Sequence, residues 1–252
     1  MVKKILVIIP VYYPPERLKT RKKFLSRYVS AGFEIETRSI KYGTYSIESS
    51  FDDELNAPFI LEEAVKAEKD GFDAVVVDCF VDPALDAMRE ALKIPVVGPG
   101  ETSMHIASML GNKFTVITVA GLALNKLIAR RVEKLGLTNK LASIRNVNLP
   151  VLELMKREKE TISILVEEGT KAIEEENADV IILGCTELSE IADKHNLQET
   201  LGVPIVDPIK VAVKFAELLV SLNLSHSKKA YPYPQKKPIS YFETLNSTKL
   251  LE

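Results

Sequence analysis

Runs of apolar residues alternate along the chain with amphipathic segments, in a regular strand-then-helix order. Residues 3–9 form a nearly continuous β-branched run, which is typical of a strand buried on both faces of a parallel sheet. Apolar segments predict six more strands, at 73–79, 95–97, 114–119, 141–147, 179–184 and 203–206. Alternation of Phe33, Ile35 and Thr37 with charged residues predicts an edge or half-exposed strand at 33–40. Sequential strand–helix connections give parallel sheets with right-handed crossovers. The sequence therefore predicts an α/β fold.

The segments between these strands predict the helices, several of which begin at a proline. We expect helices at 14–30, 58–71, 82–92, 102–110, 122–135 and 152–176, a short one after Cys185, and one at 209–221. The Asp82–Pro83 pair is expected to cap the third of these helices. Residues 43–57 are polar and serine-rich and are expected to form a loop. Residues 224–252 show little periodicity, and we expect them to pack irregularly over the first half of the protein.

The pattern of strands and helices occurs twice. The segment Asp73-Ala-Val-Val-Val-Asp-Cys79 corresponds to Asp179-Val-Ile-Ile-Leu-Gly-Cys185, 106 positions further along the chain. Pro95 and Pro99 correspond to Pro204 and Pro208, which lie 109 positions further along the chain. A doubled α/β unit places equivalent strand ends opposite one another across a cleft. We predict a first lobe of residues 1–98 plus 207–252, which includes the C-terminal tail, and a second lobe of residues 99–206, with the active site in the cleft.

The only two cysteines, Cys79 and Cys185, occupy equivalent strand ends of the two copies. Ligands of parallel sheets bind outside such ends, where the backbone N–H groups of following residues can hold a carboxylate or an enolate oxygen. We expect these groups to lower the thiol pKa from its free value of roughly 8.5. A thiolate and a thiol that face each other across a planar carbanion can racemise a substrate, because one removes a proton and the other returns one to the opposite face. The alternative is that each cysteine is a small buried hydrophobe.

Asp78 is the feature that argues against easy activation of Cys79. A carboxylate near a thiol raises the thiol pKa. Because side chains alternate along a strand, we expect the Asp78 side chain to point away from that of Cys79.

Composition limits the remaining possibilities. The chain of 252 residues has 46% hydrophobic and 27% charged residues and a net charge of −2, which is ordinary for a globular protein and gives no reason to expect nucleic acid. No apolar run is long enough for a membrane span or a signal peptide, so we expect a cytoplasmic protein with free thiols. The three histidines lie at no metal-ligand spacing. Gly98-Pro99-Gly100 lacks the third glycine of a dinucleotide fingerprint.

Four segments of the sequence carry a family resemblance. Cys79-Phe-Val-Asp-Pro-Ala-Leu85 is similar to Cys-Phe-x-Asp-Pro-Gly-Leu, the first cysteine motif of hydantoin racemases. Ile94-Pro-Val-Val-Gly-Pro-Gly-Glu101 is similar to the Ile-Pro-Val-Val-Gly-x-x-Glu segment of the same family. Leu110-Gly-Asn-Lys-Phe114 through Thr118 resembles a further strand of that family. Gly184-Cys-Thr-Glu187 matches the second cysteine motif of the wider Asp/Glu racemase superfamily. The resemblance extends over about residues 1–222.

This resemblance implies two pseudo-symmetric Rossmann-like lobes and catalysis without a cofactor or a metal, with Cys79 and Cys185 as the acid/base pair. It also implies that the substrate is lined by Phe80, Val81, Thr118, Thr186 and Glu187.

The loop after the first strand departs from the family. Hydantoin and allantoin racemases usually carry Ile-Asn-Pro-Asn-Thr there, whereas this chain has Ile8-Ile-Pro-Val-Tyr12. Both asparagines are replaced, and Val11 and Tyr12 are expected to line the substrate instead. Because buried polar groups discriminate strongly and apolar ones do not, we expect poorer recognition of allantoin and a preference for a 5-substituted hydantoin with a less polar or aromatic substituent.

Three hypotheses follow. The first is a racemase or epimerase that acts at a carbon alpha to a carbonyl. The second is another member of the same superfamily: an aspartate- or glutamate-type racemase, a cis–trans isomerase or a decarboxylase. The third is a two-lobed binding protein, in which both thiols would be inert to iodoacetamide at neutral pH. In all three we expect a small-molecule ligand, no nucleic-acid or membrane partner, and assembly as a homo-oligomer.

Overall fold

Two four-stranded parallel sheets with the same strand order form the protein, whose computed structural model describes residues 2–119 and 121–235. The first sheet has the order β2-β1-β3-β4 and contains β1 (Lys3–Ile9), β2 (Phe33–Ser39), β3 (Ala74–Val77) and β4 (Val96–Val97). The second has the order β6-β5-β7-β8 and contains β5 (Phe114–Thr118), β6 (Leu141–Asn146), β7 (Val180–Leu183) and β8 (Ile205–Val206). The predicted α/β fold with a duplicated unit is confirmed.

Helices connect the strands. They are α1 (Pro15–Leu25), α2 (Ser50–Lys69), α3 (Leu85–Ala91), α4 (Pro99–Leu110), α5 (Leu122–Lys134), α6 (Glu158–Glu176), α7 (Leu188–Lys194), α8 (Leu197–Leu201) and α9 (Pro208–Ser221). Every residue of β3 and β7 is buried, because helices cover both faces of the central strands. This explains why these strands have continuous apolar sequences.

The helix α2 begins earlier than its sequence suggested. The predicted loop at 43–57 is confirmed only for 43–49, and the predicted helix start at Pro58 is wrong, since the helix starts at Ser50 and contains Pro58 in its interior. Ser49 caps the helix, and its hydroxyl accepts the backbone N–H of Asp52 at 3.3 Å. Pro58 leaves the carbonyl of Glu54 without its helical donor, but Glu54 is exposed and water can replace that donor.

Asp82 does not cap α3, in contrast to the prediction. It has a positive φ of 52°, and α3 begins three residues later at Leu85. The Asp82 carboxylate instead accepts the backbone N–H groups of Gly100 and Glu101, each at 2.8 Å, in the first turn of α4. The carboxylate therefore connects the loop after Cys79 to the start of α4.

Three other boundaries differ from the predictions. The helix α1 ends at Leu25 instead of near residue 30, and α4 begins at Pro99 instead of residue 102. The helix α6 begins at Glu158 instead of residue 152, because a 3₁₀ turn at Val151–Glu153 precedes it. Proline at the first helical position explains the early start of α4.

The chain crosses between the two sheets after β4 and after β8. The helix α4 packs on β7 and β8 of the second sheet, whereas α9 packs on β1, β3 and β4 of the first. The two helices also contact each other. We use first lobe and second lobe below for the units built on the first and second sheets.

The segment after α9 lies against the first lobe. The Lys228 ammonium donates to the carbonyls of Arg89, Glu90 and Leu92 at the end of α3, and Ser225 donates to the carbonyl of Lys93. The part of the predicted tail at 236–252 lies outside the described residues. Within the described part of the chain, no helix is both long and apolar enough to cross a membrane.

Candidate active site

Both thiols line one cavity between the lobes. The cavity has a volume of about 50 Å³ and is lined by Ile9, Pro10, Val11, Tyr13, Arg17, Tyr45, Ser46, Ile47, Asp78, Cys79, Val151, Cys185, Thr186 and Glu187. The second lobe contributes the last three of these residues and Val151. Cys79 and Cys185 are half-buried and are not joined in a disulfide. The structure therefore brings the two cysteines to a shared space that belongs to neither lobe alone.

Equivalent backbone hydrogen bonds position the two cysteines. Cys79 lies two residues after β3, and the preceding Asp78 donates its N–H to the carbonyl of Ile8 at 2.7 Å. Cys185 lies two residues after β7, and the preceding Gly184 donates its N–H to the carbonyl of Ile117 at 2.7 Å. In each lobe, the hydrogen bonding between the two central strands thus continues for one more residue, the residue that precedes the cysteine. The duplication places the two thiols equivalently.

Burial raises the pKa of both thiols. The pKa of Cys185 rises to about 12 because of burial and the nearby Glu187 carboxylate. The pKa of Cys79 rises well above its ordinary value, mainly through burial. One backbone N–H group, from Val81 at Cys79 and from Glu187 at Cys185, lowers each pKa, but burial outweighs it. The predicted net lowering of the thiol pKa values is therefore wrong, although the amides act in the predicted direction.

The Asp78 carboxylate is held by an arginine. Arg21 donates to both of its oxygens, at 2.7 and 2.8 Å, and both side chains are buried. The carboxylates that raise the Cys79 pKa, after burial and the Cys185 thiol, belong to Asp53 and Asp82.

The expected substrate residues fall into two groups. Val11, Thr186 and Glu187 line the cavity. Tyr12 is not in the cavity lining, is 40% exposed and packs edge-on against Tyr45 with ring centroids 5.4 Å apart.

Phe80, Val81 and Thr118 are buried behind the cavity lining. Phe80 and Val81 belong to a hydrophobic core cluster. The Thr118 hydroxyl donates to the carbonyl of Gly184 at 2.8 Å, which supports the backbone before Cys185. In the structure, Phe80 and Val81 are therefore core residues, and Thr118 supports the loop that carries Cys185.

Neither Tyr13 nor Arg17 was among the expected substrate residues, yet both contact the second lobe. The Tyr13 hydroxyl donates to one oxygen of Glu187, and Arg17 donates to the other at 2.5 Å. The Arg17 guanidinium also lies 4.3 Å from the centre of the Tyr13 ring. Burial and the neighbouring Glu187 raise the Tyr13 pKa, so the hydroxyl stays protonated and donates. These contacts make the Glu187 carboxylate a bridge between the lobes.

The loop at 43–47 supplies one wall of the cavity through Tyr45, Ser46 and Ile47. Asn56, fully buried in α2, holds this loop: its Oδ1 accepts the N–H of Thr44 at 2.9 Å. Its Nδ2 donates to the Thr44 hydroxyl and to the carbonyl of Pro10. A serine-rich segment that looked like a solvent loop therefore forms part of the site.

Among the described residues, no group of three or more histidine, cysteine, aspartate and glutamate side chains could hold a metal ion. The chemistry that the cavity's own side chains offer is proton transfer by the two thiols, with the Tyr13 hydroxyl and the Arg17 guanidinium as nearby donors.

The sequence profile of the family described as Asp/Glu/hydantoin racemase matches residues 22–216. The chain belongs to this family. The match includes Cys79 and Cys185 together with most of both lobes. The protein is therefore an isomerase of the racemase class.

Individual members of the racemase family agree with this assignment. A hydantoin racemase of Pseudomonas sp. (strain NS671) is 40% identical over 205 residues, which is 81% of each chain. A hydantoin racemase of Paenarthrobacter aurescens is 35% identical over 83% of this chain and 88% of its own. The structure of an allantoin racemase from Klebsiella pneumoniae superposes with a TM-score of 0.90 at 30% identity, over 97% of this chain and 99% of that one.

Proposed function

We propose that the protein racemises a substrate at a carbon alpha to a carbonyl, without a cofactor, with Cys79 and Cys185 as the acid/base pair. The observation that carries this proposal is that both thiols, at equivalent strand ends, line one cavity. Two opposed proton donors are what inversion at a planar carbanion requires. The two thiols are not joined in a disulfide that would otherwise explain their positions.

In the proposed reaction, the thiolate of one cysteine removes the α-proton and leaves an enolate. The thiol of the other cysteine then donates its proton to the opposite face, so that the substrate is inverted and the ionisation states of the two cysteines are exchanged. The negative charge of each thiolate raises the pKa of the other thiol, as the effect of Cys185 on Cys79 illustrates. This repulsion favours a singly ionised pair, which is the form that the reaction needs.

For the substrate, we propose a 5-substituted hydantoin with an apolar or aromatic substituent. The relatives named above are hydantoin and allantoin racemases. The cavity wall contains Ile9, Val11, Ile47 and Val151 together with the rings of Tyr13 and Tyr45. Such a wall favours burial of an apolar substituent over recognition of the polar ureide of allantoin.

The packing of α4 on the second sheet and of α9 on the first supports lobe boundaries after residues 98 and 206. These boundaries place each cysteine in a different lobe, so that the reacting carbon would lie between the lobes.

The mechanism is tested with Cys79→Ser and Cys185→Ser in D₂O, with exchange of the α-proton followed by NMR and inversion by polarimetry. Serine is a far weaker acid and base than cysteine, so each variant should lose inversion. The remaining thiolate can still reach the proton on its own face, so each variant should exchange one enantiomer only, and the two variants should prefer opposite enantiomers. Inversion at a rate near that of the wild type in either variant would eliminate the two-thiol mechanism.

The substrate is tested with a panel of benzyl- and methyl-substituted hydantoins, allantoin, aspartate and glutamate. We expect kcat/KM to be highest for the benzyl compound. A preference for allantoin, or activity on free aspartate alone, would contradict the substrate proposal. Absence of activity on every compound of the panel would contradict the racemase reaction and favour a binding protein.

A further inference from the structure

Arg21 connects the two loops that carry the thiols. This residue lies on α1 of the first lobe and is 3% exposed. Its Nε and Nη2 atoms donate to the two carboxylate oxygens of Asp78, at 2.7 and 2.8 Å. Its Nη2 also donates to the backbone carbonyl of Thr186 in the second lobe, at 3.1 Å. Asp78 directly precedes Cys79, and Thr186 directly follows Cys185, so one guanidinium bonds to the neighbours of both thiols.

A second hydrogen bond joins the same two loops directly. The Thr186 hydroxyl donates to the backbone carbonyl of Asp78 at 3.2 Å. Asp78, Thr186 and Arg21 are all buried, so water does not compete for these bonds. These contacts fix one loop against the other, and the Nη1 atom of Arg21 also donates to the Glu190 carboxylate on α7.

The Arg21 guanidinium faces two carboxylates, that of Asp78 and, at 3.4 Å, that of Glu190. Burial disfavours the Arg21 charge, but the Asp78 carboxylate outweighs that effect and raises the Arg21 pKa well above its ordinary value. The guanidinium therefore stays charged and can satisfy three acceptors with its planar fork. A lysine ammonium at the same position places its three donors on one nitrogen and cannot reproduce the two-nitrogen contact with Asp78.

We propose that Arg21 is a positioning residue that holds the two thiols at the spacing needed for inversion, by binding Asp78 and Thr186 together. This inference rests on the proposed two-thiol function. Removal of the α-proton needs one thiol, whereas inversion needs both thiols at the correct distance from one carbon. A change that loosens the contact between the loops should therefore impair inversion more than exchange.

The test is Arg21→Lys, with a saturating hydantoin in D₂O. Because a misplacement of about 1 Å can reduce a rate roughly 100-fold, we expect inversion to fall about 10- to 100-fold more than α-proton exchange. A parallel fall of both rates, or no fall in either, would overturn the proposal. The matched control is Arg89→Lys, since Arg89 is also a buried arginine of the first lobe, bound to Glu101 and the carbonyl of Val96. Its exchange-to-inversion ratio should equal that of the wild type.

Thr186→Val provides a second test in case Arg21→Lys does not fold. Valine keeps the shape of threonine but removes the hydroxyl that binds the Asp78 carbonyl. The ratio of the α-proton exchange rate to the inversion rate should therefore rise, as it should in Arg21→Lys. An unchanged ratio in this variant would also overturn the proposal. Failure of the two-thiol function itself is recognised separately, because Cys79→Ser or Cys185→Ser would then still invert the substrate.

Discussion

Glu187 acts on Cys185 in two opposite ways. Its backbone N–H donates to the sulfur and lowers the thiol pKa, whereas its side-chain carboxylate raises that pKa. Tyr13 and Arg17 of the first lobe bind the carboxylate. The acidity of a thiol in the second lobe is therefore linked to a contact with the first.

The first prediction concerns the pH dependence of thiol reactivity. In Cys79→Ser, the rate of alkylation of Cys185 by iodoacetamide should rise about tenfold for each pH unit between about pH 7 and 10. The reason is that the pKa of Cys185 is raised to about 12, so the thiolate is the minor form throughout this range. Mass spectrometry of the alkylated peptide measures the rate. A plateau below about pH 9 would show that the thiol pKa is not raised.

This prediction changes how thiol labelling is to be interpreted. Slow labelling at neutral pH would follow from burial of the thiols and would not distinguish a racemase from a binding protein. Exchange of opposite enantiomers by the two serine variants does distinguish them, because it reports proton transfer to a bound substrate.

The second prediction concerns Glu187→Gln. Removal of the carboxylate should lower the pKa of Cys185, and in the Cys79→Ser background alkylation at a fixed pH should become roughly tenfold faster. Asp193→Asn is the matched control, since Asp193 lies on the adjoining helix and binds Lys210 and Arg27. A similar acceleration in the control would point to a general loosening of the second lobe.

The positions of the strands and of the thiols could be read from the sequence because they depend on local pattern and on repetition. The apolar part of β1, residues 5–9, is buried on both faces, and the offset between Cys79 and Cys185 placed both at equivalent strand ends. The start of α2 was missed because Pro58 looked like a helix start, whereas the Ser49 cap precedes it by nine residues.

The side chains that join the lobes could not be predicted from local pattern. Arg17 and Arg21 lie one helical turn apart on a polar helix, and such a pair usually indicates a solvent-exposed face. Their partners Glu187 and Asp78 are distant in sequence and become neighbours only when the lobes pack. The choice of Tyr13 over Tyr12 as a cavity residue likewise depends on which way the loop turns after Ile9.

The third prediction concerns the wall of the cavity. Asn56→Ala should reduce the free energy of unfolding by about 2–4 kcal/mol, because the half-buried N–H of Thr44 and the buried carbonyl of Pro10 lose their partners. Since the loop at 43–47 lines the cavity, KM should increase more than kcat decreases. Urea denaturation and steady-state kinetics measure the two effects.

Asn112→Ala is the control for this variant. Asn112 is exposed, so its change should alter stability by less than about 0.5 kcal/mol. If Asn56→Ala destabilised the protein and left KM unchanged, the loop would not be part of the substrate site.

The fourth prediction concerns Asp53, a half-buried carboxylate of α2 whose pKa is raised from 3.8 to about 6 by burial and by the neighbouring Glu54. One of its oxygens has no hydrogen-bond partner among the described residues. The folded state binds the proton of the Asp53 carboxyl more tightly than the unfolded state does. Ionisation of Asp53 therefore lowers the free energy of unfolding as the pH rises from about 4 to 6. An asparagine side chain cannot ionise, so the variant Asp53→Asn should be more stable than the wild type by about 1–2 kcal/mol near pH 7.5, after allowance for partial solvent screening. The difference should vanish near pH 4, which urea denaturation at the two pH values measures.

The control for this variant is Glu199→Gln, a change of an exposed carboxylate, which should give no comparable gain in stability at pH 7.5. An equal gain for Asp53→Asn at both pH values would mean that ionisation of Asp53 is not the cause of the gain.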